Sequence, residues 1–264
     1  MVSNYLKLQS EASTLVDMST VDRLNVAAEE GDIGKLYELI EEDPYVFEHI
    51  DAIPFVETPL HVAASAGHAQ FAAKIMSLKP SFGLKLNPQG YAPIHLALQH
   101  GHDGMVLHLV HNDKDLIRTK GREDFTPLHF ASQLGKVDLL TKFLQVCPDS
   151  IIDVTDKNET ALHVALKYQQ IEALEFLVRW VKTVPSIDLE ETILNWKDEA
   201  GNTILHIAAS NNDRKVITLL TKNPLVVLDA KNLAGQTASD IASNQDIRKI
   251  LSGVRKGIRN SWKK

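Results

Sequence analysis

The chain has 264 residues, of which 44% are hydrophobic, and a formal net charge of −6. This length holds one large domain or two ordinary ones with a packed core, and the charge excludes a general polycation that binds nucleic acid. Cys147 is the only cysteine, which excludes an internal disulfide and favours a reducing, cytoplasmic compartment. The sequence contains no run of 18 apolar residues that would predict a membrane span.

The chain begins with a predicted N-terminal extension, residues 1–19. This segment lacks the basic stretch followed by an apolar run that marks a secretory signal. Residues 20–52 are predicted to form an N-terminal capping repeat. Their segment LNVAAEEGDIGKLYELIEEDP, residues 24–44, shares alanines and a glycine with the units that follow, but lacks their threonine and histidine.

Five related sequence repeats occupy residues 53–231. Each contains a histidine, and the histidines recur at steps of 34 residues, with 43 before the last one. A fixed period near 33 residues with the pattern T-P-L-H-x-A resembles the ankyrin repeat. The resemblance implies an all-α ankyrin-repeat solenoid, in which helix-turn-helix units with short hairpin tips stack on one another. The five histidines are His61, His95, His129, His163 and His206.

Each position of the pattern has a predicted structural role. The threonine caps a helix, a proline takes its first position, and the histidine at the third position reaches back toward the cap. A glycine ends the helix in a left-handed conformation, and a second helix with one apolar stripe follows. Residues tolerant of positive φ precede each threonine by two positions and predict a tight turn there; they are Gly90, Asp124, Asn158, Gly201 and Gly235.

The fifth repeat departs from the pattern in two places. Gln169 stands where other repeats have the C-cap glycine, so we expect a strained or altered turn. The nine extra residues of this repeat fall around VKTVPSIDLEE, residues 181–191, and predict a longer loop. A partial C-terminal capping repeat is predicted over residues 232–254, with Asp240 in place of the histidine.

The sequence offers little support for a catalytic, metal-binding or cofactor-binding site. His108 and His111 lie three apart on a predicted second helix, but no third ligand is near, so we predict no metal site. Cys147 has no histidine or asparagine partner at a telling spacing, and no phosphate-binding glycine motif occurs. We therefore expect a protein that is not an enzyme and has no cofactor.

A stacked-repeat protein offers a concave face for binding a partner protein, formed by the hairpin tips and the ends of the first helices. Specificity is expected at the positions that vary between repeats. The predicted partner-binding residues on the tips are Gln89, Tyr91, Arg122, Glu123, Phe125, Asp156, Lys157, Glu199 and Asn202, and those on the first helices are Gln99, His100, Gln133, Leu134, Lys167 and Tyr168.

Four of these side chains are apolar or aromatic where the repeat does not require it: Tyr91, Phe125, Leu134 and Tyr168. Neighbouring repeats would place them side by side. Two interpretations are open. They anchor a protein interface, or the rings pack sideways on their own neighbours.

The chain ends in a predicted basic tail, residues 255–264. From Arg248 to Lys264 there are seven basic residues and no acidic one, with apolar residues at helical spacing. This pattern predicts a basic amphipathic helix that closes the stack, with a boundary near Gly257, and then makes weak contact with an anionic membrane surface. The predicted membrane-surface residues are Arg255, Lys256, Arg259, Trp262, Lys263 and Lys264.

The sequences of several segments are similar to those of plant ankyrin–transmembrane proteins, which carry a PGG domain, and in particular to those of their Bian Da-like members. The segments are 77–98, 125–151 and 194–217, which begin SLKPSF, FTPLHF and LNWKDE. The resemblance implies a role in plant defence or stress signalling through protein–protein contacts. The PGG motif and the hydrophobic hairpins of that family are absent from this sequence.

Two functions remain open from the sequence. The first is a cytoplasmic adaptor that binds a partner protein, whose identity and stoichiometry are open. The second is the cytoplasmic sensor half of a membrane-anchored ankyrin protein involved in signalling or transport, at the cytoplasmic face of a membrane.

Overall fold

The computed structural model describes residues 18–184 and 186–261, and side chains from Thr20 to Gly253 apart from Pro185. Across these residues the regular structure is helical, without a strand, which confirms the predicted all-α class. Most of the predicted N-terminal extension lies outside the described residues. So do the side chains of Arg255, Lys256 and Arg259, and the whole of Trp262, Lys263 and Lys264.

The chain divides into two units, the first ending at Arg122 and the second beginning at Glu123. The helices of the first unit are α1 (Met18–Glu30), α2 (Ile33–Glu42), α3 (Val46–Asp51), α4 (Pro59–Ala66), α5 (Ala69–Leu78), α6 (Pro93–Gln99) and α7 (Asp103–Asn112). Short 3-10 helices follow α5 and α7 at Pro80–Gly83 and Lys114–Arg118, and a 3-10 turn at Arg122–Asp124 leads into the second unit.

The second unit contains nine α-helices within the described part of the chain. They are α8 (Pro127–Gln133), α9 (Val137–Val146), α10 (Ala161–Lys167), α11 (Ile171–Val181), α12 (Ile187–Leu194), α13 (Ile204–Ser210), α14 (Arg214–Thr221), α15 (Ala238–Ile241) and α16 (Gln245–Ser261). A 3-10 helix at Pro148–Ile152 follows α9.

Within each unit, equivalent helices of successive repeats pack together. In the first unit α4 contacts both α1 and α6, and in the second unit α10 contacts both α8 and α13. The apolar pairs of the second helices are buried as the stripe predicts, for example Phe71 and Ile75 in α5 and Leu140 and Phe143 in α9. No helix pair buries its apolar face alone, so the core is continuous along each unit.

The five motif histidines are buried and structural. In each repeat the ring nitrogen Nδ1 accepts a hydrogen bond from the backbone nitrogen of the residue that caps the helix, over 3.1–3.3 Å. Asp240 does the same in the last repeat, where its Oδ2 accepts from the backbone nitrogen of Thr237 at 2.9 Å. The histidines are therefore capping groups, as their position in the pattern predicts.

The tight turns between repeats are confirmed. All five predicted positions, Gly90, Asp124, Asn158, Gly201 and Gly235, have positive φ.

The C-cap glycine Gly67 is required both for its left-handed backbone and because the next repeat leaves no room for a side chain there. A Cβ added at Gly67, where φ is 81°, would lie 2.7 Å from Nδ1 of His102 in the next repeat. That histidine donates from Nε2 toward the carbonyl of Ser65 at 2.9 Å, so its ring is held against the glycine.

Of the two outcomes expected at Gln169, a strained or an altered turn, the structure shows the strained one and keeps the usual turn. The φ of Gln169 is 59°, so this residue adopts the left-handed conformation of the glycines it replaces. The turn keeps the usual hydrogen bond, from Gln170 N to Ala165 O at 2.8 Å, as Lys136 N bonds to Ala131 O at 2.9 Å. In three of the other repeats the equivalent residue of the next repeat, His68, His102 or Gln170, would lie within 3 Å of a Cβ at the C-cap glycine. After Gln169 that residue is the short Asp213, which leaves room for a side chain.

The predicted longer loop of the fifth repeat is wrong. The extra residues form a helix, α12, in place of the 3-10 helices that follow α5, α7 and α9. Ser186 caps this helix, since its hydroxyl oxygen accepts from the backbone nitrogen of Leu189 at 3.3 Å. Ile193 and Leu194 are buried and hold the helix on the stack. A proline and several acidic residues suggested a loop, but a capped start and two buried side chains are enough for a helix.

The C-terminal segment forms the helix that the spacing of its apolar residues predicts. Helix α16 is continuous to Ser261 and passes through Gly257, the predicted boundary between the part that closes the stack and the basic tail. Ile247 and Leu251 are buried and close the last repeat against α14 and α15.

Candidate functional site

In the first unit the predicted binding residues lie on the tips and at a helix end. Gln89, Gln99, His100 and Arg122 are exposed. Tyr91 is half-buried, and its ring centroid lies 6.4 Å from that of His95 in the same repeat. This group shows polar variety but no large exposed apolar side chain.

In the second unit the hairpin tips are joined edge to edge. The backbone nitrogen of Asp156 donates to the carbonyl of Glu123 at 3.1 Å, and that of Glu199 donates to the carbonyl of Lys157 at 2.9 Å. Three successive tips therefore form one hydrogen-bonded row. Asn202 lies at the third tip, where its Oδ1 accepts from Nδ2 of Asn232 at 2.9 Å.

Two apolar side chains of the second unit are exposed at equivalent positions. Leu134 is the C-cap of α8 and Tyr168 is the C-cap of α10, and these two helices pack against each other. Leu134 is 39% exposed and Tyr168 is 43% exposed. Neither side chain is needed for the cap, since His100 and Asn211 occupy the same position in other repeats. Gln133 and Lys167 precede them and complete the predicted set.

Phe125 behaves differently from these two. Its ring packs edge-on against Phe130 with centroids 5.5 Å apart, and it also lies 5.7 Å from the ring of His129. For Phe125 the sideways-packing interpretation accounts for the ring. Leu134 and Tyr168 remain as the exposed apolar side chains of this group.

Charged residues border the apolar pair. Lys167 Nζ lies 2.8 Å from Oε1 of Glu159, whose residue is only 7% exposed, and Lys157 Nζ lies 3.8 Å from Oε2 of Glu123. Partial burial by itself lowers the pKa of Lys167, but the hydrogen bond and charge of Glu159 outweigh it and raise that pKa above its usual value. We define the docking surface as Leu134, Lys157, Lys167 and Tyr168.

The described residues contain no group of three or more histidine, cysteine, aspartate and glutamate side chains placed to hold a metal ion. His108 and His111 are exposed on α7, and Cys147 is partly buried. Nor is any helix in residues 18–184 and 186–261 both long and apolar enough to cross a membrane.

Family models for ankyrin repeats match most of the chain. A model of three ankyrin repeats matches residues 24–120 and again 104–185, and a single-repeat model matches residues 200–232. These matches confirm the ankyrin-repeat fold that the repeated sequence motif predicts.

Two curated proteins show similarity to this sequence. The ankyrin repeat-containing protein BDA1 of Arabidopsis thaliana is 38% identical over 244 residues, which is 89% of this chain and 57% of that protein. The NF-kappa-B p105 subunit of Gallus gallus is 32% identical over 108 residues, which is 38% of this chain and 10% of that protein. The chain thus spans little more than half of the plant relative and a small part of the other. The first similarity supports the resemblance to plant ankyrin proteins.

Solved structures share the fold at low sequence identity. The ankyrin repeat domain of Bcl-3, described as a member of the IkappaB family, has a TM-score of 0.73 and 18% identity, and covers 88% of this chain and 98% of its own. The human ASB11 ankyrin repeat domain has a TM-score of 0.58 and 20% identity, and covers 88% and 96%. At these identities the similarity concerns the fold alone.

Proposed function

We propose that this chain, which belongs to the ankyrin-repeat family, is an adaptor that binds a partner protein through the docking surface. The ankyrin-repeat fold is a protein-interaction scaffold and is not typically enzymatic. The observation that supports this choice is the pair Leu134 and Tyr168, exposed at equivalent C-cap positions of two helices that pack against each other, where the cap does not need them. Aromatic side chains with charged neighbours are common anchors in protein interfaces.

The biological setting that we propose is plant defence or stress signalling. It rests on the resemblance to the plant ankyrin proteins and on the 38% identity to the Arabidopsis protein. The partner in this setting is a cytoplasmic protein segment with an apolar side chain that covers Leu134 and Tyr168.

The experiment compares proteins that co-purify from plant extract with the chain and with its variant Leu134→Ala/Tyr168→Ala. Proteins enriched by the chain should be lost with the double variant. They should be retained with the control Tyr45→Ala, which removes a strongly exposed tyrosine of the first unit. Helical circular dichroism and melting should be unchanged in both variants. Unchanged enrichment with the double variant would contradict the proposed surface.

The alternative role, the cytoplasmic half of a membrane-anchored protein, is favoured by the basic C-terminal segment. Helix α16 runs to Ser261, and Arg248 and Lys249 are exposed on it. Basic residues near an anionic leaflet contribute about 1 kcal/mol each. The purified chain should then bind anionic vesicles weakly and release them in high salt or on deletion of residues 255–264. Equal binding to neutral vesicles would contradict this role.

A further inference from the structure

The second unit contains a groove of about 600 Å³ beside helix α12. It lies outside the docking surface, and none of the predicted partner-binding residues lines it. Its walls combine polar, acidic and apolar side chains. The lining residues that carry the argument are Asp188, Glu191, Asn195, Trp196, Lys197 and Val227.

The walls of the groove are held in place by Asn195, the residue that follows α12. Its Nδ2 donates to the carbonyls of Glu191 at 2.8 Å and Leu225 at 2.7 Å, and its Oδ1 accepts from the backbone nitrogen of Val227 at 2.7 Å. One amide side chain therefore ties the helix to the segment opposite. A groove with fixed walls loses little conformational entropy when it is occupied.

The floor of the groove includes an indole that the repeat does not require. Trp196 stands seven residues before its threonine, where the other four full repeats have the polar residues Asp51, Lys85, Thr119 and Asp153. Its Nε1 is buried and has no hydrogen-bond acceptor among the described residues. A buried donor without an acceptor is unfavourable. Binding of a ligand that brings an acceptor into the groove is therefore favoured once the indole turns its Nε1 toward that acceptor.

The charge of the groove is negative. Asp188 and Glu191 are exposed, and neither forms an ion pair within the described residues. The ammonium of Lys197 is directed elsewhere, since its Nζ donates to the carbonyl of Lys231 at 2.8 Å. Two carboxylates on adjacent turns of one helix attract a cationic group.

We propose that this groove is a second binding site, which takes a short basic peptide segment of a partner protein. An arginine or lysine side chain of the segment pairs with Asp188 and Glu191. A backbone carbonyl of the segment accepts the hydrogen bond of Trp196 Nε1, and an adjacent apolar side chain covers Val227. This site does not depend on the docking surface, because the two share no residue.

The experiment follows the indole N–H signals of the full chain by NMR. The chain has three tryptophans, so Trp196→Phe and Trp180→Phe each assign one signal, and Trp180, elsewhere in the second unit, serves as the internal reference. The probes are two libraries of end-blocked pentapeptides, with arginine or glutamate fixed at the centre and the other positions randomised. The arginine library should shift the Trp196 signal and leave that of Trp180 in place.

The variant Asp188→Asn/Glu191→Gln should bind the arginine library at least tenfold more weakly, with the Trp196 signal of the free chain retained as evidence of folding. An equal response to the glutamate library, or no shift of Trp196 with the arginine library, overturns the proposal. The variant Arg255→Gln/Lys256→Gln/Arg259→Gln tests the chain's own basic tail. A changed Trp196 signal in that free variant would make the tail the occupant and overturn the assignment to a partner.

Discussion

At the start of α4, the ring nitrogen Nδ1 of His61 accepts hydrogen bonds from the backbone nitrogen of Thr58 at 3.1 Å and from its hydroxyl at 2.8 Å. A backbone nitrogen only donates, so this ring nitrogen carries no proton. The other, Nε2, then bears the hydrogen and donates to the carbonyl of Tyr91 at 3.0 Å. The histidine is thus held in its neutral form, and burial lowers its pKa to about 4.

This geometry predicts a loss of stability in acid. The folded pKa of His61 is about 4 and its ordinary value is 6.5, so the unfolded chain binds the proton more tightly. The stabilisation is complete above pH 6.5 and is lost as the pH falls toward 4, by on the order of 3 kcal/mol for this histidine. Urea unfolding at several pH values between 7.5 and 4.5 measures it.

The matched variants for this prediction are His61→Gln and His111→Gln. The first should be less stable at pH 7.5 but should have a shallower pH dependence than the parent chain. The second removes an exposed histidine of α7 and should keep the parent slope. Parallel slopes for the parent and His61→Gln would contradict the neutral assignment.

A second prediction at the residue scale concerns Gln169, whose φ is 59°. A side chain in the left-handed region is strained, so Gln169→Gly should raise the free energy of unfolding by about 0.5–1 kcal/mol. The opposite change, Gly67→Ala, should lower it, because its Cβ would lie 2.7 Å from His102 Nδ1. Thermal and urea unfolding test both signs, and a lower melting temperature for Gln169→Gly would refute the strain argument.

At the scale of single elements, helix α12 shows how an insertion becomes structure. It has only eight residues, too few for an isolated helix, and depends on a cap at one end and two buried side chains at the other. The same insertion forms one wall of the groove beside Trp196, so the extra residues create the site that the other repeats lack.

The cap of this helix gives a prediction. Removing the hydroxyl with Ser186→Ala should cost about 0.5–2 kcal/mol, because the backbone nitrogen of Leu189 loses its acceptor. Hydrogen exchange of amides in α12 should accelerate, while that in α13 should not. The control Ser210→Ala removes an exposed hydroxyl at the end of α13 and should leave both unchanged. Equal exchange in the parent chain and Ser186→Ala would show that tertiary contacts alone hold α12.

At the scale of the whole molecule, we expect stability to be distributed over the repeats of each unit, because a repeat of this kind contacts only its neighbours. The two units, 18–122 and 123–261, each have their own buried core. A change in one core is therefore expected to act mainly within that unit.

A pair of mild core substitutions tests this. Ile75→Val and Ile217→Val each remove one methylene group from a fully buried side chain, one in each unit, and should each cost about 1 kcal/mol. With Ile217→Val, amide exchange should accelerate several-fold in α13 and α14 and remain unchanged in α1 and α4, and Ile75→Val should give the reverse. Uniform acceleration with either variant would mean that the two units open together.

The features that the sequence by itself determined are those that one repeat decides. Caps, C-cap turns, the tight turns and the apolar stripes depend on residues a few positions apart, so the period and the all-α fold follow from the pattern. Within the predicted site, only the exposure of positions such as Leu134 and Tyr168 follows in the same way, since a repeated pattern shows which side chains it does not use.

Only the tertiary structure decided what neighbouring repeats do to one another. Gln169 keeps a glycine's conformation because the next repeat has the short Asp213. Phe125 turns onto Phe130, α12 is a helix because the stack buries its end, and the groove exists because Asn195 ties α12 to residues 225–227. Most of these features depend on side chains that lie close in space but thirty or more residues apart in the chain. The position of Phe125 depends on whether its ring packs better against Phe130 or outside the repeat. A period read along the sequence contains no information on either.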